Sequence, residues 1–244
     1  MDTQPSKKQA IVQREQQILK LSRKMVVESG YHGLSLDTLS SELGVSRGTI
    51  YNHFTCKEEI LLALVIETMD RRREMFQHAA AFQGPPRVRI AAIGVAAEIF
   101  VRLYPDHFLV EQIVKSDSIW DKTSAERQSK MKICQVQCVG ICGGIVRDGV
   151  AQGHLVLQEG ATAEAVVFGL WSMAEGAYSI IATSDSMSDL GITEPFMAVR
   201  DNWHRMLDGY RWEPLACDFD YPTSMKGMAE ELFPDEYRLI ADSW

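Results

Sequence analysis

The chain has 244 residues, of which 46% are apolar and 24% are charged, and its formal net charge is −8. This length and composition exclude a disordered or fibrous protein and leave room for a small domain beside a larger one. Five cysteines, an odd number in a long chain, argue against a disulfide framework and for a reducing cytoplasm. The polar start, MDTQPSKKQAIVQREQQ, has no apolar signal-peptide core, which also predicts a cytoplasmic protein.

The charge is unevenly distributed along the chain. Residues 1–55 carry a net charge of +2, whereas the remaining residues carry −10. A positive excess confined to one part of an acidic chain is what binding to nucleic-acid phosphates requires. The most apolar region, residues 161–182, is interrupted by Glu164 and Glu175, so no membrane-spanning helix is expected.

The first predicted elements are a polar arm and a helix. Residues 1–10 are expected to be flexible, with Lys7 and Lys8 either reaching phosphates or simply solvated. The spacing of apolar residues predicts a helix over residues 13–29, which Gly30 ends.

The most informative stretch is residues 34–61, LSLDTLSSELGVSRGTIYNHFTCKEEIL. It predicts two short helices joined by a tight turn, in which Gly44 ends the first helix and Ser46 caps the second. Ile50 and Phe54, four residues apart, are predicted to face the core. This is the helix-turn-helix arrangement, which places its second helix in the major groove of DNA. The alternative is a purely structural hairpin, but short polar helices build poor cores.

The polar positions of this segment are the candidate DNA-binding residues. Nearly all of them can donate hydrogen bonds, and the glycine lets a backbone approach closely. A lysine in the first turn of a helix opposes the helix dipole, so Lys57 is predicted to meet a phosphate. The candidates are Ser35, Ser46, Arg47, Gly48, Thr49, Tyr51, Asn52, His53 and Lys57.

At these residues the chain resembles the TetR family of bacterial transcription regulators. The resemblance rests on GVSRGTIYNHFTCKEEIL and the preceding ILKLSRKMVVESGYHGLSLDTLSSEL, and it covers roughly residues 14–65. It implies a dimeric DNA-binding protein, most often a repressor, that a small effector releases from a palindromic operator. Four side chains would then face base edges or nearby phosphates, and four others would grip the DNA backbone. The first four are Arg47, Thr49, Asn52 and His53, and the others are Ser35, Ser46, Tyr51 and Lys57.

The rest of the chain has helical periodicity and no convincing strand alternation, so an all-α fold is predicted. The expected helices span residues 56–82, 87–103, 106–115, 118–152, 162–182, 193–212 and 224–233. We predict a DNA-binding domain over residues 1–57 and a larger helical effector-binding and dimerisation domain over residues 58–212. Residues 213–244 form a C-terminal extension whose role the sequence does not reveal.

Assembly and effector binding are expectations that the resemblance implies for the larger domain. Helices 162–182 and 193–212 would form half of an intersubunit four-helix bundle, although burial within one subunit is the alternative. A mainly apolar effector would occupy a cavity, although plain core packing explains each candidate lining residue equally well or better. Those candidates are Phe100, Tyr104, Phe108, Met131, Cys134, Cys138, Trp171 and Tyr178.

Other chemistry is less well supported. Cys134, Cys138 and Cys142 lie on one helical stripe and could sense oxidants or a soft metal, but buried free cysteine is the simpler interpretation. No catalytic elbow, zinc-binding His-Glu-x-x-His or phosphate-binding loop occurs, so we expect no enzyme, no cofactor and no metal site. The alternative function is a helical small-molecule-binding protein or an enzyme without a DNA role.

Overall fold

The computed structural model describes residues 6–114, 117–184 and 186–244, and the side chains of Asp117 and Ser118 are not described. Within these ranges the chain is helical and has no strand, so the predicted all-α fold is confirmed. Two short 3-10 helices, Met187–Leu190 and Ala241–Ser243, accompany the α-helices. The α-helices are α1 (Lys7–Gly33), α2 (Leu36–Glu42), α3 (Arg47–Tyr51), α4 (Lys57–Ala80), α5 (Pro86–Leu103), α6 (Pro105–Val114), α7 (Asp117–Trp120), α8 (Ala125–Ala151), α9 (Ala163–Thr183), α10 (Pro195–Gly209), α11 (Tyr221–Leu232) and α12 (Pro234–Ile240).

The described residues form two compact units. The first contains residues up to Met69 together with Asp106–Ile133, and the second contains Asp70–Pro105 together with Cys134–Trp244. This division differs from the predicted domains 1–57, 58–212 and 213–244, since a segment distant in sequence joins the N-terminal helices.

The N-terminal helix is longer than predicted. The Ser6 hydroxyl accepts a hydrogen bond from the Gln9 N–H, and the Gln9 side chain accepts one from the Ser6 N–H, which forms a capping box. The expectation of a flexible arm over residues 1–10 is therefore wrong for residues 7–10, which form the first turn of α1. Residues 1–5 lie outside the described residues.

The predicted helix over residues 118–152 is two helices. A short α7 ends at Trp120, and α8 begins at Ala125. A residue of α4 stabilises the intervening turn, because the Ser124 N–H donates a hydrogen bond to the Glu59 carboxylate. Of the preceding predicted helix, 106–115, the last residue lies outside the described residues, and α6 runs to Val114.

The core of the second unit is built around α5, which is buried along most of its length. Both α11 and α12 pack against α5. The C-terminal extension thus supplies core residues to this unit, and they include Tyr221, Met225, Met228, Ala229, Leu232, Phe233, Tyr237 and Ile240.

Candidate nucleic-acid interface

The helix-turn-helix forms as predicted in the first unit. Gly44 adopts φ 62°, the left-handed conformation that lets the chain leave α2 and turn into α3. The Ser46 hydroxyl accepts a hydrogen bond from the Thr49 N–H at 3.1 Å and so caps α3. Ile50 and Phe54 are completely buried, which confirms their predicted inward orientation.

The outer side of this motif is polar and accessible. Five candidate residues are exposed, and the other four are half-buried. Ser35 occupies the N-cap position of α2, but its side chain makes no capping hydrogen bond. The exposed candidates are Ser46, Arg47, Gly48, Tyr51 and Asn52, and the half-buried ones are Ser35, Thr49, His53 and Lys57.

Arg47 has an ion-pair partner that sequence reasoning did not assign. Its Nε lies 2.8 Å from Oδ1 of Asp37 in the first turn of α2, and both side chains are largely exposed. An exposed pair of this kind contributes little to stability, so the guanidinium can exchange Asp37 for a DNA phosphate or base at small cost.

Lys57 is engaged with Tyr31 in this structure. Its Nζ donates to the Tyr31 carbonyl oxygen at 3.2 Å and lies 3.9 Å from the centroid of the Tyr31 ring. The ammonium is therefore held at the start of α4. Only its remaining N–H donors are open to a phosphate.

A buried carboxylate organises the neighbouring groups. Glu58 accepts hydrogen bonds from the Tyr31 hydroxyl at 2.6 Å and from the Lys122 ammonium at 3.2 Å. Burial alone would raise the pKa of Glu58, but these hydrogen bonds and one from its own backbone N–H outweigh it and lower the pKa to about 2. The hydrogen bond between the Tyr31 hydroxyl and Glu58, together with burial, raises the pKa of Tyr31 to about 12. This network could not be predicted from the sequence, because Lys122 is remote from the motif along the chain.

The eight predicted effector residues are divided between the two units. Phe108 and Met131 belong to the first unit, and the other six belong to the second. Phe100, Phe108, Cys134 and Tyr178 are core residues, as the simpler alternative expected. Tyr104, Met131 and Cys138 are half-buried.

Trp171 lies on the exposed side of α9 and not in the interior of the second unit, where the predicted effector cavity would lie. Its side chain is 47% exposed and packs edge-to-face against Phe168, which is 63% exposed. Helical spacing puts both rings on the outer side of α9, opposite the buried Val166 and Leu170. The spacing of apolar residues predicts that α9 is an apolar helix, but it does not indicate which apolar residues are buried and which are exposed.

Two of the predicted effector residues make cation–π contacts with arginine side chains. The guanidinium carbons of Arg71 and Arg72 lie 4.5 Å from the Tyr104 ring centroid and 4.8 Å from the Phe100 ring centroid. The next residue, Arg73, forms an ion pair with Asp70 at 3.0 Å. Cation–π packing by its two neighbours was not foreseen.

An open cleft of about 890 Å³ lies elsewhere in the second unit. Its volume is that of a small-molecule site, and its wall combines apolar and polar groups. None of the eight predicted effector residues lines it. The lining residues are Gly153, His154, Val156, Leu157, Gln158, Ala161, Met206, Gly209, Tyr210, Arg211 and Glu213.

The cysteine stripe shows the features of core thiols. Cys134 and Cys142 are buried, and the Cys134 thiol donates to Oδ1 of Asp70 at 3.5 Å. Burial, reinforced by neighbouring Cys138, raises the pKa of Cys142 to about 12, so this group remains a thiol at neutral pH. Among the described residues, no cluster of His, Cys, Asp or Glu could hold a metal ion.

Three apolar side chains of α9 are exposed to solvent. Phe168, Trp171 and Ile180 are each about half exposed or more, and Met197 on neighbouring α10 is also exposed. By length and composition alone α9 could also cross a membrane, with a mean hydropathy of 1.4 over its most apolar window. Exposed aromatic patches of this kind mark interaction surfaces.

A helix-turn-helix with an accessible polar side, followed by a larger helical unit, defines a DNA-binding regulatory protein. Residues 18–64 match the family model for bacterial regulatory proteins of the tetR family. The matched relatives described below are transcriptional regulators.

One curated relative is similar over most of its length. The fatty acid metabolism regulator protein of Bacillus subtilis is 26% identical over 184 residues, which cover 71% of this chain and 91% of the relative. The HTH-type transcriptional repressor AcnR of Corynebacterium diphtheriae is 40% identical over 62 residues, which are 25% of this chain and 33% of that protein.

Solved structures share the fold over about four fifths of the chain. A TetR/AcrR-family regulator from Thermobifida fusca matches with a TM-score of 0.60 and 25% identity, covering 82% of this chain and 99% of that one. FadR from Bacillus subtilis in complex with stearoyl-CoA matches with a TM-score of 0.60 and 20% identity, covering 79% and 96% of the two chains.

Proposed function

We propose that this protein is a dimeric, ligand-responsive transcriptional repressor that a small effector releases from its operator DNA. The observation that carries the proposal is the accessible polar side of α3, on a helix whose opposite side is anchored by Ile50 and Phe54. Because its partner is the bacterial chromosome, the protein acts in the cytoplasm.

The residue roles follow from accessibility and chemistry. Arg47, Thr49, Asn52 and His53 contact base edges or adjacent phosphates in the major groove. The remaining contacts, from Ser35, Ser46, Tyr51 and Lys57, fix the protein on the DNA backbone without specifying sequence. Exposure of the Tyr51 side chain by 50% supports its role at the surface of the motif.

Dimerisation is proposed through helices 162–182 and 193–212, which correspond to α9 and α10. The exposed aromatic pair of Phe168 and Trp171 supports this proposal, because a second copy would bury it. Two-fold symmetry would then present two α3 helices to a palindromic site with half-sites ~34 Å apart.

The first effector to test is a long-chain acyl-CoA. The proposal draws on the Bacillus subtilis relative, which is named for fatty acid metabolism, and on the similar FadR fold that holds stearoyl-CoA. An acyl chain also agrees with the mainly apolar effector that the sequence predicts.

The test begins with selection of bound duplexes from a random DNA pool. A palindromic consensus is expected, and recovery of no consensus would refute operator binding. The affinity for the selected operator is then measured with stearoyl-CoA and with free CoA. If stearoyl-CoA releases the operator and free CoA does not, the acyl effector is supported. If the affinity for the operator is the same with stearoyl-CoA as with free CoA, the acyl effector is excluded, and the DNA-binding proposal is unaffected.

A further inference from the structure

Arg127, in the first turn of α8, is packed against the recognition segment rather than against solvent. Its guanidinium carbon lies 4.8 Å from the ring centroid of Phe54. Its Nε lies 2.6 Å from Oε2 of Glu59, and its Nη2 lies 3.5 Å from Oε1 of Glu15. The side chain is only 19% exposed, so all three contacts are partly shielded from water.

Phe54 connects Arg127 to the DNA-reading helix. The Phe54 N–H donates to the Ile50 carbonyl oxygen at 2.9 Å, which continues the hydrogen bonding of α3 beyond its last residue. The ring of Phe54 is 1% exposed. Because close-packed interiors transmit small displacements, the surface against which this ring rests sets the orientation of α3.

The guanidinium is itself held in place by Glu59. This carboxylate is 6% exposed and also accepts hydrogen bonds from the N–H and the hydroxyl of Ser124. The adjacent Glu58 binds Lys122 in the same segment. Two buried carboxylates at the start of α4 thus hold residues 122–127 through ion pairs and hydrogen bonds.

We propose that Arg127 is a positioning residue for operator recognition. Its planar guanidinium, oriented by Glu59 and Glu15, supports the ring of Phe54 and thereby sets how α3 meets the base edges. This inference rests on the proposed DNA-binding function. Arg127 itself touches no DNA, so its contribution lies in discrimination between sequences and not in phosphate binding.

Arg127→Lys is the informative variant. Lysine retains the positive charge beside Glu59 but lacks the planar group that stacks on Phe54, so the fold is preserved while the support is removed. Affinity for the selected operator is expected to fall about three- to tenfold, because lysine cannot combine the contact with the Phe54 ring and the pairing with Glu59 in one planar group. Affinity for a scrambled duplex, and the slope of log Kd against log salt concentration, are expected to stay unchanged.

The measurement compares operator and scrambled duplexes across a range of salt concentrations, with the active fraction determined by stoichiometric titration. Arg147→Lys is the matched control, because Arg147 pairs with Glu164 at an exposed position of the second unit. The double variant Arg127→Gln, Glu59→Gln removes the stack without leaving an unpaired buried carboxylate, and it is expected to lose the same discrimination.

The outcomes separate the inference from the proposed function. The inference would be overturned if Arg127→Lys had the same ratio of operator affinity to scrambled-duplex affinity as the wild type. Equal loss on both duplexes with a reduced salt slope would also overturn it, since Arg127 would then be a phosphate ligand. A wild-type protein that binds no duplex selectively would instead refute the proposed function itself.

Discussion

The guanidinium of Arg87, at the start of α5, lies 2.5 Å from the carboxylate of Asp208 in the last turn of α10, although Arg87 is completely buried. The same guanidinium donates to the carbonyl oxygens of His204 and Trp212 and lies 5.0 Å from the ring centroid of Tyr221. Burial, and then the charge of Arg87, lower the pKa of His204 to about 4, so this imidazole is neutral at pH 7. One buried cation therefore connects α5, α10 and the C-terminal extension.

Replacing Arg87 by methionine is expected to destabilise the protein by about 3–5 kcal/mol, because two carbonyl oxygens and a carboxylate lose their buried partner. Urea unfolding followed by tryptophan fluorescence measures this. Arg238→Met is the control, since Arg238 pairs with Asp235 at the surface and should cost less than about 1 kcal/mol. Equal losses in the two variants would contradict the anchoring role.

Gly149 permits close packing of Trp212 against α8. A Cβ at this position would lie 2.8 Å from Trp212 Nε1, and the indole is completely buried. Gly149→Ala is therefore expected to cost about 1–3 kcal/mol through overpacking. Gly144→Ala, in the same helix with nothing within 4 Å of the added Cβ, should instead stabilise by about 0.5–1 kcal/mol. Thermal unfolding of the two variants tests the opposite signs.

The depressed pKa of Glu58 makes stability depend on acid pH. Its folded-state pKa of about 2 lies below the ordinary value of 4.5, so the ionised form stabilises the fold. This contribution, of about 3 kcal/mol at most, is present above pH 4.5 and is lost as the pH falls towards 2. The difference in unfolding free energy between wild type and Glu58→Gln should therefore shrink across that window. A difference independent of pH would show that Glu58 is not the titrating group.

Lys57→Ala is expected to weaken binding to every duplex by the same factor and to reduce the salt slope by about one. The reason is that its ammonium, held at Tyr31, meets a phosphate and not a base. Lys24→Ala is the control, since Lys24 is largely exposed and pairs only with Glu28 at 3.8 Å. Fluorescence anisotropy at several salt concentrations measures both slopes. A loss confined to one operator sequence would contradict the backbone role.

Trp171→Glu is expected to convert the proposed dimer into a monomer of 27.4 kDa, because it replaces half of the exposed Phe168–Trp171 aromatic pair by a charge. Light scattering after size exclusion gives the mass. Leu239→Glu is the control, because Leu239 on α12 is 76% exposed and lies outside the proposed interface. A Trp171→Glu protein that remains dimeric would place the interface elsewhere.

Features set by a few neighbouring residues could be predicted from the sequence. Gly44 and Ser46 specify the turn between α2 and α3, and the apolar spacing of α5 and α9 predicted both helices within a few residues. The capping box of Ser6 and Gln9 is equally local, although the polar composition of residues 1–10 predicts a flexible arm there.

Features that depend on distant partners could not be predicted. The break between α7 and α8 depends on Glu59, and the orientation of Trp171 depends on which side of α9 another element covers. Hydrophobic periodicity reports which residues share a side of a helix, but not what packs against that side. The same limit explains why Arg127 escaped notice, since its partners Phe54 and Glu59 are remote in sequence.

The packing of α11 and α12 against α5 has a consequence for biosynthesis. Helix α5 leaves the ribosome more than a hundred residues before α11 does, so its apolar surface emerges without its final cover. During that interval the nascent chain presents Val88, Ile99 and their neighbours to the surrounding solution, where chaperones bind such surfaces. The second unit can therefore complete its folding only after α11 and α12 have been translated.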